Sequence, residues 1–318
     1  MKRRVCAVLV TAALAGCGTG GGGSGGPSGP VSPPVSDSRS PPSSDSTSPP
    51  SSDSRSPPAS FEFPTLATVN GSDVRVSSAI PTQNYDALVD RVTATADGAG
   101  NFTFRVNDPT NGPYTFTVNV PPNSSLTTGG ATEEVVLNSL TYSAAGVWGR
   151  PNIFGSVGGA AAFGVATGAA DLPKTGTASY SGAFIGRVNS DNSNFGVVNA
   201  SASSLANFGT GVVSFATTNS HLTWDFGGPP NLAVPDLDLT GSMTFQSSGG
   251  VRQNSLRGPV STKPGGWGLT GEVRGTFYGP ASSTSPPPEL SGSVAVGVAD
   301  PESVGEGRSI IGGFVMKR

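Results

Sequence analysis

Few residues in this chain of 318 could carry chemistry. His221 is the sole histidine, so it cannot join other imidazoles at a metal, and beside Asn219 and Ser220 it is interpreted as a turn residue. A Ser-His-Asp triad would have to use it. Asp236 and Asp238 lie two residues apart and would share one face of a strand. Pairs of carboxylates can cleave glycosides or bind calcium. A solvated strand face is the simpler interpretation, so we expect no enzyme, no metal site and no cofactor.

Cys17 is the residue to which we assign covalent chemistry. Residues 2–4 are basic, residues 5–14 are apolar, and small residues precede Cys17. The apolar run is about half as long as a membrane-spanning helix requires, so residues 1–17 are predicted to be a secretory signal. The string LAGC resembles a bacterial lipobox, whose cysteine receives the lipid. An ordinary signal peptide with an incidental cysteine is the alternative. Cys6 lies inside the signal, so the mature chain has no disulfide.

Residues 18–60 are predicted to be a disordered tether between the lipid and the folded part. A Gly/Ser run, 18–29, is followed by an approximate octapeptide repeat, SDSRSPPS, over 36–58. These segments hold almost no large apolar side chain and cannot build a core. Two strings in the glycine run imitate G-x-S-x-G and G-x-G-x-x-G, but they lack the strand and helix that give those motifs meaning. The tether suits a domain held at the cell surface; a periplasmic spacer is the alternative.

From residue 61 onward, short alternating runs between Gly, Asn, Pro and Ser predict strands with one buried face. Many strands with short turns predict a sandwich or an up-and-down barrel, and glycines inside the strands favour the barrel. The three tryptophans, 148, 224 and 267, are expected in the core or at a junction between subdomains. The predicted strands cover 92–106 (a hairpin turning at 97–101), 114–120, 135–142, 213–226 (a hairpin turning at 219–220), 243–245, 267–277, 294–298 and 310–316.

Several strings resemble one known family. Leu172–Gly182 (LPKTGTASYSG) resembles the opening strand of the β-barrel domain of transferrin-binding protein B and its relatives. Gly275–Pro280 (GTFYGP) resembles the most distinctive motif of that barrel, and Gly312–Arg318 (GGFVMKR) resembles its closing strand. Upstream, Leu140–Trp148 and Gly164–Gly168 resemble the end of the handle-like β-domain of the family.

The resemblance covers residues 135–318 and implies an all-β, antiparallel fold. An eight-stranded up-and-down barrel over 171–318 would follow a smaller handle-like domain over 61–170. The sequence departs from the family after Pro280, where a longer, Pro-rich turn precedes Glu289. The residues that carry the fold motif are Gly176, Tyr180, Gly182, Gly275, Phe277, Tyr278, Gly279, Pro280 and Phe314.

Within this motif, Gly275, Gly279 and Pro280 are interpreted as setting a strand end and a turn. Phe277 is expected in the barrel core and Tyr278 facing out. These are structural roles, and ligand-binding residues are not assigned.

By resemblance, the function would be ligand capture at the outer membrane. The chain would be a lipid-anchored surface protein that takes up a host or environmental protein, haem or an iron-related ligand, beside an outer-membrane transporter. Relatives that bind complement factors share the barrel, so a structural or immune-shielding lipoprotein is the alternative. Transferrin itself is not expected, since a typical transferrin receptor has two lobes and this chain has room for one. The net charge of −3 becomes more negative once the basic signal leaves, which argues against nucleic acid as a partner.

Overall fold

The computed structural model describes residues 62–81, 87–88, 91–108, 112–129, 134–152, 155–190, 194–224, 231–298 and 308–318. The predicted signal, Cys17 and the tether lie outside these residues, as does Phe226 of a predicted hairpin. The described residues form strands with two short 3-10 turns, Ala169–Asp171 and Pro235–Leu237, and no α-helix. The all-β prediction is confirmed.

The first half of the described chain builds two antiparallel sheets that pack face to face. Phe163 from one sheet contacts Phe102 and Phe104 from the other, with ring centroids 5.0 and 4.8 Å apart. The four-stranded sheet has the order β1-β4-β5-β6 and the six-stranded sheet the order β3-β2-β10-β9-β8-β7. The strands are β1 Asn70–Gly71, β2 Arg75–Pro81, β3 Ala87–Leu88, β4 Val92–Asp97, β5 Asn101–Asp108, β6 Gly112–Asn119, β7 Ser125–Gly129, β8 Glu134–Ser139, β9 Ser143–Asn152 and β10 Gly155–Gly164.

The second half closes into a barrel of eight antiparallel strands. Each long strand pairs with the next one along the chain, and the first pairs with the last from Ser181↔Lys317 to Asn189↔Ser309. The predicted eight-stranded, up-and-down barrel is therefore confirmed. Its strands are β11 Thr177–Ser190, β12 Asn194–Asn207, β13 Val212–Trp224, β15 Leu239–Ser248, β16 Val251–Thr262, β17 Leu269–Tyr278, β18 Glu289–Val298 and β19 Ser309–Lys317, and the short β14, Leu232–Ala233, pairs with β13.

Side chains fill the interior of the barrel. Inward positions alternate along the strands, as a strand repeat of two residues requires, and they carry Phe184, Phe215, Phe277 and Phe314, all of which are buried. The rings of Phe215 and Phe314 lie 4.8 Å apart between centroids. An eight-stranded barrel has just the interior width that side chains can occupy, so the interior leaves no room for a ligand.

The six-stranded sheet turns its other face to the barrel wall. Ala79, Val147 and Ala160 of the sheet cluster with Ile185 and Ile311 of the barrel. The two alanines of the sheet are small, so the two backbones can approach closely. The described residues form one compact unit on this basis. The division into a handle-like domain and a barrel at residue 170 stays a prediction.

The predicted turn at Asn219–Ser220 is wrong. Strand β13 runs through these residues without reversing, and the register against β12 shifts there, with Asn199 opposite His221 and Ser201 opposite Thr218. Two residues therefore oppose one, which is a β-bulge. Asn219 has a φ of +57°, the left-handed conformation that asparagine tolerates. A turn and a bulge need similar residues, so the local sequence alone did not separate them.

The tryptophans lie in the two cores or at their edges. Trp148 is buried between the N-terminal sheets, while Trp224 and Trp267 are half-buried against the barrel core. Trp267 lies just before β17 rather than within it, since the strand begins at Leu269. Within the described ranges, no helix has the length and apolar character needed to span a membrane.

Candidate functional site

The motif GTFYGP ends strand β17 at the contact between the barrel and the N-terminal sheets. Phe277 points into the barrel, where its ring lies 5.6 Å from that of Tyr180. Tyr278 points the other way, out of the barrel, yet it is fully buried. Burial raises the pKa of the Tyr278 phenol above its ordinary range. The Tyr278 side chain thus packs between the barrel and the N-terminal sheets and does not face solvent.

The motif glycines hold particular backbone positions. Gly279, with a φ of +87°, and Gly176, with a φ of +88°, lie in the left-handed region, which glycine enters without steric cost. The amide of Gly279 donates to the carbonyl of Val165 at 3.1 Å, and its carbonyl accepts from Thr167 Oγ1 at 2.6 Å. These bonds stop β17 and join it to the segment that leads out of β10.

The other motif residues serve barrel closure. Tyr180 is buried, and its hydroxyl donates to the carbonyl of Pro287 at 2.9 Å. Gly182 pairs with Met316 across the seam between β11 and β19, and Phe314 of β19 fills the interior. Gly275 is buried and Pro280 is exposed. The structure does not gather these residues at one site.

Glu289, at the start of β18, forms a buried polar joint to the N-terminal sheets. Its carboxylate accepts the amides of Thr141 at 3.0 Å and Tyr142 at 3.1 Å. It also accepts the Ser143 hydroxyl at 2.8 Å, and Ser143 in turn bonds Ser291 at 2.7 Å. Burial raises the pKa of Glu289, and the hydrogen bonds from Ser143, Tyr142 and Thr141 oppose that shift. This buried contact was not predicted, since Glu289 follows a Pro-rich turn of the kind usually found on the surface.

A solvent-open cleft of about 550 Å³ lies where β2 and β4 of the N-terminal sheets meet β16 and β17 of the barrel. Arg75 lies on the sheet side and Arg274 on the barrel side. Six hydroxyl side chains also line the cleft, namely Ser72, Ser77, Thr93, Thr95, Ser255 and Thr276. The cleft brings together residues from distant parts of the sequence, and it is the candidate ligand site of the described chain.

The two arginines of the cleft differ in their surroundings. Arg75 is exposed, and among the described residues no carboxylate forms an ion pair with it. Arg274 is more enclosed and is ion-paired with Glu272, whose carboxylate is shared with Arg257 of the neighbouring strand. Glu272 thereby helps to fix the position of Arg274.

The interpretation of Asp236 and Asp238 as carboxylates on one strand face is wrong. Asp236 lies in the 3-10 turn Pro235–Leu237 and is exposed, whereas Asp238 follows the turn and is 4% exposed. The turn breaks the strand repeat that would have aligned them. The carboxylate of Asp238 accepts the amide and hydroxyl of Ser220, at 3.2 and 2.7 Å, and the ammonium of Lys263 at 3.0 Å.

His221 lies within strand β13, next to the bulge rather than in a turn. Its Nδ1 is 2.9 Å from the carbonyl oxygen of Asn219. The described residues contain no group of three His, Cys, Asp or Glu side chains arranged to hold a metal ion.

Asp238→Ala is expected to lower the free energy of unfolding by about 2–3 kcal/mol, because Ser220 and Lys263 lose a buried, charged acceptor. Asp236→Ala is the matched control, and the exposed position predicts a change within about 0.5 kcal/mol. Urea unfolding of both variants measures the difference. Equal losses would show that Asp238 does not anchor the bulge.

Comparison of the whole chain with known proteins gave structural similarities only. No family model matches the sequence, and no curated protein matches it. A double mutant of Transferrin Binding Protein B from Haemophilus parasuis Hp5 is similar at 16% identity and a TM-score of 0.43, over 77% of this chain and 45% of that one. Transferrin binding protein B from serogroup B Neisseria meningitidis is similar at 14% identity and a TM-score of 0.42, over 77% of this chain and 43% of that one.

A solved structure described as a surface lipoprotein is similar at 11% identity and a TM-score of 0.33, over 77% of this chain and 99% of that one. This chain thus spans less than half of the length of the two transferrin-binding structures. Membership in their family stays a prediction.

Proposed function

We propose that this chain is a lipid-anchored binding protein that captures an external ligand at the bacterial cell surface. The observation that carries the proposal is the open, hydroxyl-lined cleft beside a barrel whose interior is filled. A concave site with a few convergent polar groups is the usual form of a small-ligand site. The lipobox at Cys17 and the tether supply the anchor in this proposal.

Binding rather than catalysis fits the described residues. His221 and Asp238 are occupied in fixing the bulge of β13, and neither belongs to the cleft. The finer parts of the proposal rest on the sequence resemblance. They are a host or environmental protein or a haem- or iron-related compound as ligand, and transfer to an outer-membrane transporter.

Lipidation is tested by growing cells with a labelled fatty acid. The wild-type chain is expected to take up the label, and Cys17→Ala is expected to lose it, because the thiol is the attachment point. Cys6→Ala is the matched control and should remain labelled, since it changes only the signal. Label on the Cys17 variant, or loss of label from the Cys6 variant alone, would overturn the proposed anchor.

Orientation is tested by protease treatment of intact cells, with mass spectrometry of the released peptides. Peptides from residues 62–318 are expected in the supernatant while periplasmic marker proteins stay protected. Release only after the outer membrane is broken would contradict the surface location and favour a partner inside the envelope. If the chain is exposed but a deletion strain grows normally under iron and haem limitation, a structural or shielding role gains over nutrient capture.

A further inference from the structure

We propose that the cleft between β2, β4, β16 and β17 binds a small, hydroxylated oxyanion, a compound that carries carboxylate or phosphate groups. This inference deepens the proposed function by naming a class of ligand, and it rests on that function only for the biological use of the ligand.

The fixed charges of the cleft walls are positive. Arg75 and Arg274 line it from two sides, and no carboxylate is among the described lining residues. Glu272, which precedes Arg274 by two positions on β17, forms ion pairs with Arg257 and Arg274 together. Glu289, on the next strand, is bonded to the segment that leads into β9 instead. The charged side chains among the described lining residues are therefore both positive, although the whole chain is acidic.

Guanidinium groups suit oxyanions for geometric reasons. The planar fork of arginine donates two parallel hydrogen bonds to a carboxylate or phosphate. Glu272 holds Arg274 in place before a ligand arrives, which reduces the entropy lost on binding. Arg75, which is exposed, provides a second cation on the opposite wall.

The remaining polar groups favour a ligand with hydroxyls. Serine and threonine hydroxyls both donate and accept hydrogen bonds. The six hydroxyls of the cleft can therefore donate to, or accept from, the alcohol groups of a ligand. Ser77 and Thr276 are nearly buried, and Ser77 is fixed by a 3.0 Å hydrogen bond to Ser293. The polar lining is thus partly preorganised.

The size of the cleft suits a small molecule as its occupant. A volume of about 550 Å³ lies within the range of small-molecule sites. A hydroxylated carboxylic acid or a phosphorylated polyol fits this volume.

Isothermal titration calorimetry of the detergent-solubilised full chain tests the inference. Citrate is the carboxylate probe, glycerol phosphate is the phosphate probe, and glycerol is the neutral control. Saturable binding of at least one anion is expected, at least about tenfold tighter than glycerol because arginine-oxyanion bonds are charge-assisted. The anion that binds more tightly shows whether the cleft prefers a carboxylate or a phosphate group. Absence of saturable heat with both anions would overturn the inference.

Variants decide whether the cleft is the site. Arg75→Gln and Arg274→Gln are each expected to weaken binding about tenfold, the usual effect of removing one charged hydrogen bond. Lys174→Gln removes an equal charge at an exposed position outside the cleft and should change affinity by less than about twofold, because an exposed charge is screened. An equal loss in all three variants would show non-specific attraction and contradict a site. Thermal unfolding of each variant confirms that it is folded.

The result is separable from the test of the proposed function. Lipid labelling and protease release do not depend on the cleft. A surface-exposed, lipidated chain that binds neither anion would overturn the ligand class alone. A chain that binds an anion yet faces the periplasm would overturn the surface location alone.

Discussion

Gly182→Ala is expected to prevent the barrel from closing. A Cβ atom at this position would lie 2.8 Å from Met316 Cα and closer still to the carbonyl oxygen of Val315, both in the backbone of the partner strand. Backbone atoms cannot change rotamer as a side chain can, so strands β11 and β19 would have to separate. We expect the free energy of unfolding to fall by more than about 3 kcal/mol, at the upper end of overpacking effects. Urea unfolding followed by circular dichroism measures the loss.

A matched substitution within the same barrel separates this effect from any general cost of alanine. At Gly275 an added Cβ would meet Leu290 Cδ1 and Met243 Sδ, each at 3.3 Å. These are ends of flexible side chains, so Gly275→Ala should change stability by no more than about 1 kcal/mol. If both variants lost the same stability, the close seam between β11 and β19 would not be the cause.

Glu289→Ala is expected to loosen the contact between the N-terminal sheets and the barrel. Two backbone amides, of Thr141 and Tyr142, and the Ser143 hydroxyl would lose their acceptor in a buried place. Unsatisfied buried donors predict a loss of about 3 kcal/mol. Glu272→Ala, a more exposed carboxylate on the adjacent strand, is the control and should cost less than about 1 kcal/mol. Faster hydrogen exchange at Thr141 and Tyr142 alone would locate the effect.

The pH dependence of the same joint has a defined sign. Burial raises the pKa of Glu289 in the folded chain, so the folded state holds this proton more tightly than the unfolded state. The stabilisation that binding this proton gives to the folded state is complete below the ordinary carboxyl pKa. It is lost as the pH rises through the raised pKa of Glu289. Relative to Glu289→Gln, the wild type should therefore gain stability as the pH is lowered from neutral. A loss on acidification would contradict a raised pKa.

The barrel could be predicted from sequence because its core follows a simple repeat. Phe277, Val294 and Phe314 lie at alternating positions of their strands, and each faces inward. The errors arose where a distant residue decides local structure. Asn219 and Ser220 look like a turn, but Asp238, eighteen residues away, bonds Ser220 and holds the bulge. Period-two patterns carry no information about such contacts.

The cleft could not be predicted for a related reason. Arg75 and Arg274 are far apart along the chain and sit among ordinary polar strand residues. Serine and threonine on the outer face of a strand are also unremarkable. Only the packing of the six-stranded sheet on one wall of the barrel brings them to a common site. The burial of Glu289 could not be predicted either, because its neighbours in the sequence do not indicate it.

The pairing of the first barrel strand with the last has a kinetic consequence. Strand β11 pairs with β19 although the other strands of the barrel lie between them in the sequence. Contacts between residues so distant in sequence give a high contact order, and such topologies fold slowly. Until β19 arrives, β11 presents an open edge that can pair with other chains. A slow final step would leave this edge exposed, and the chain prone to association with other chains, until the ring is complete.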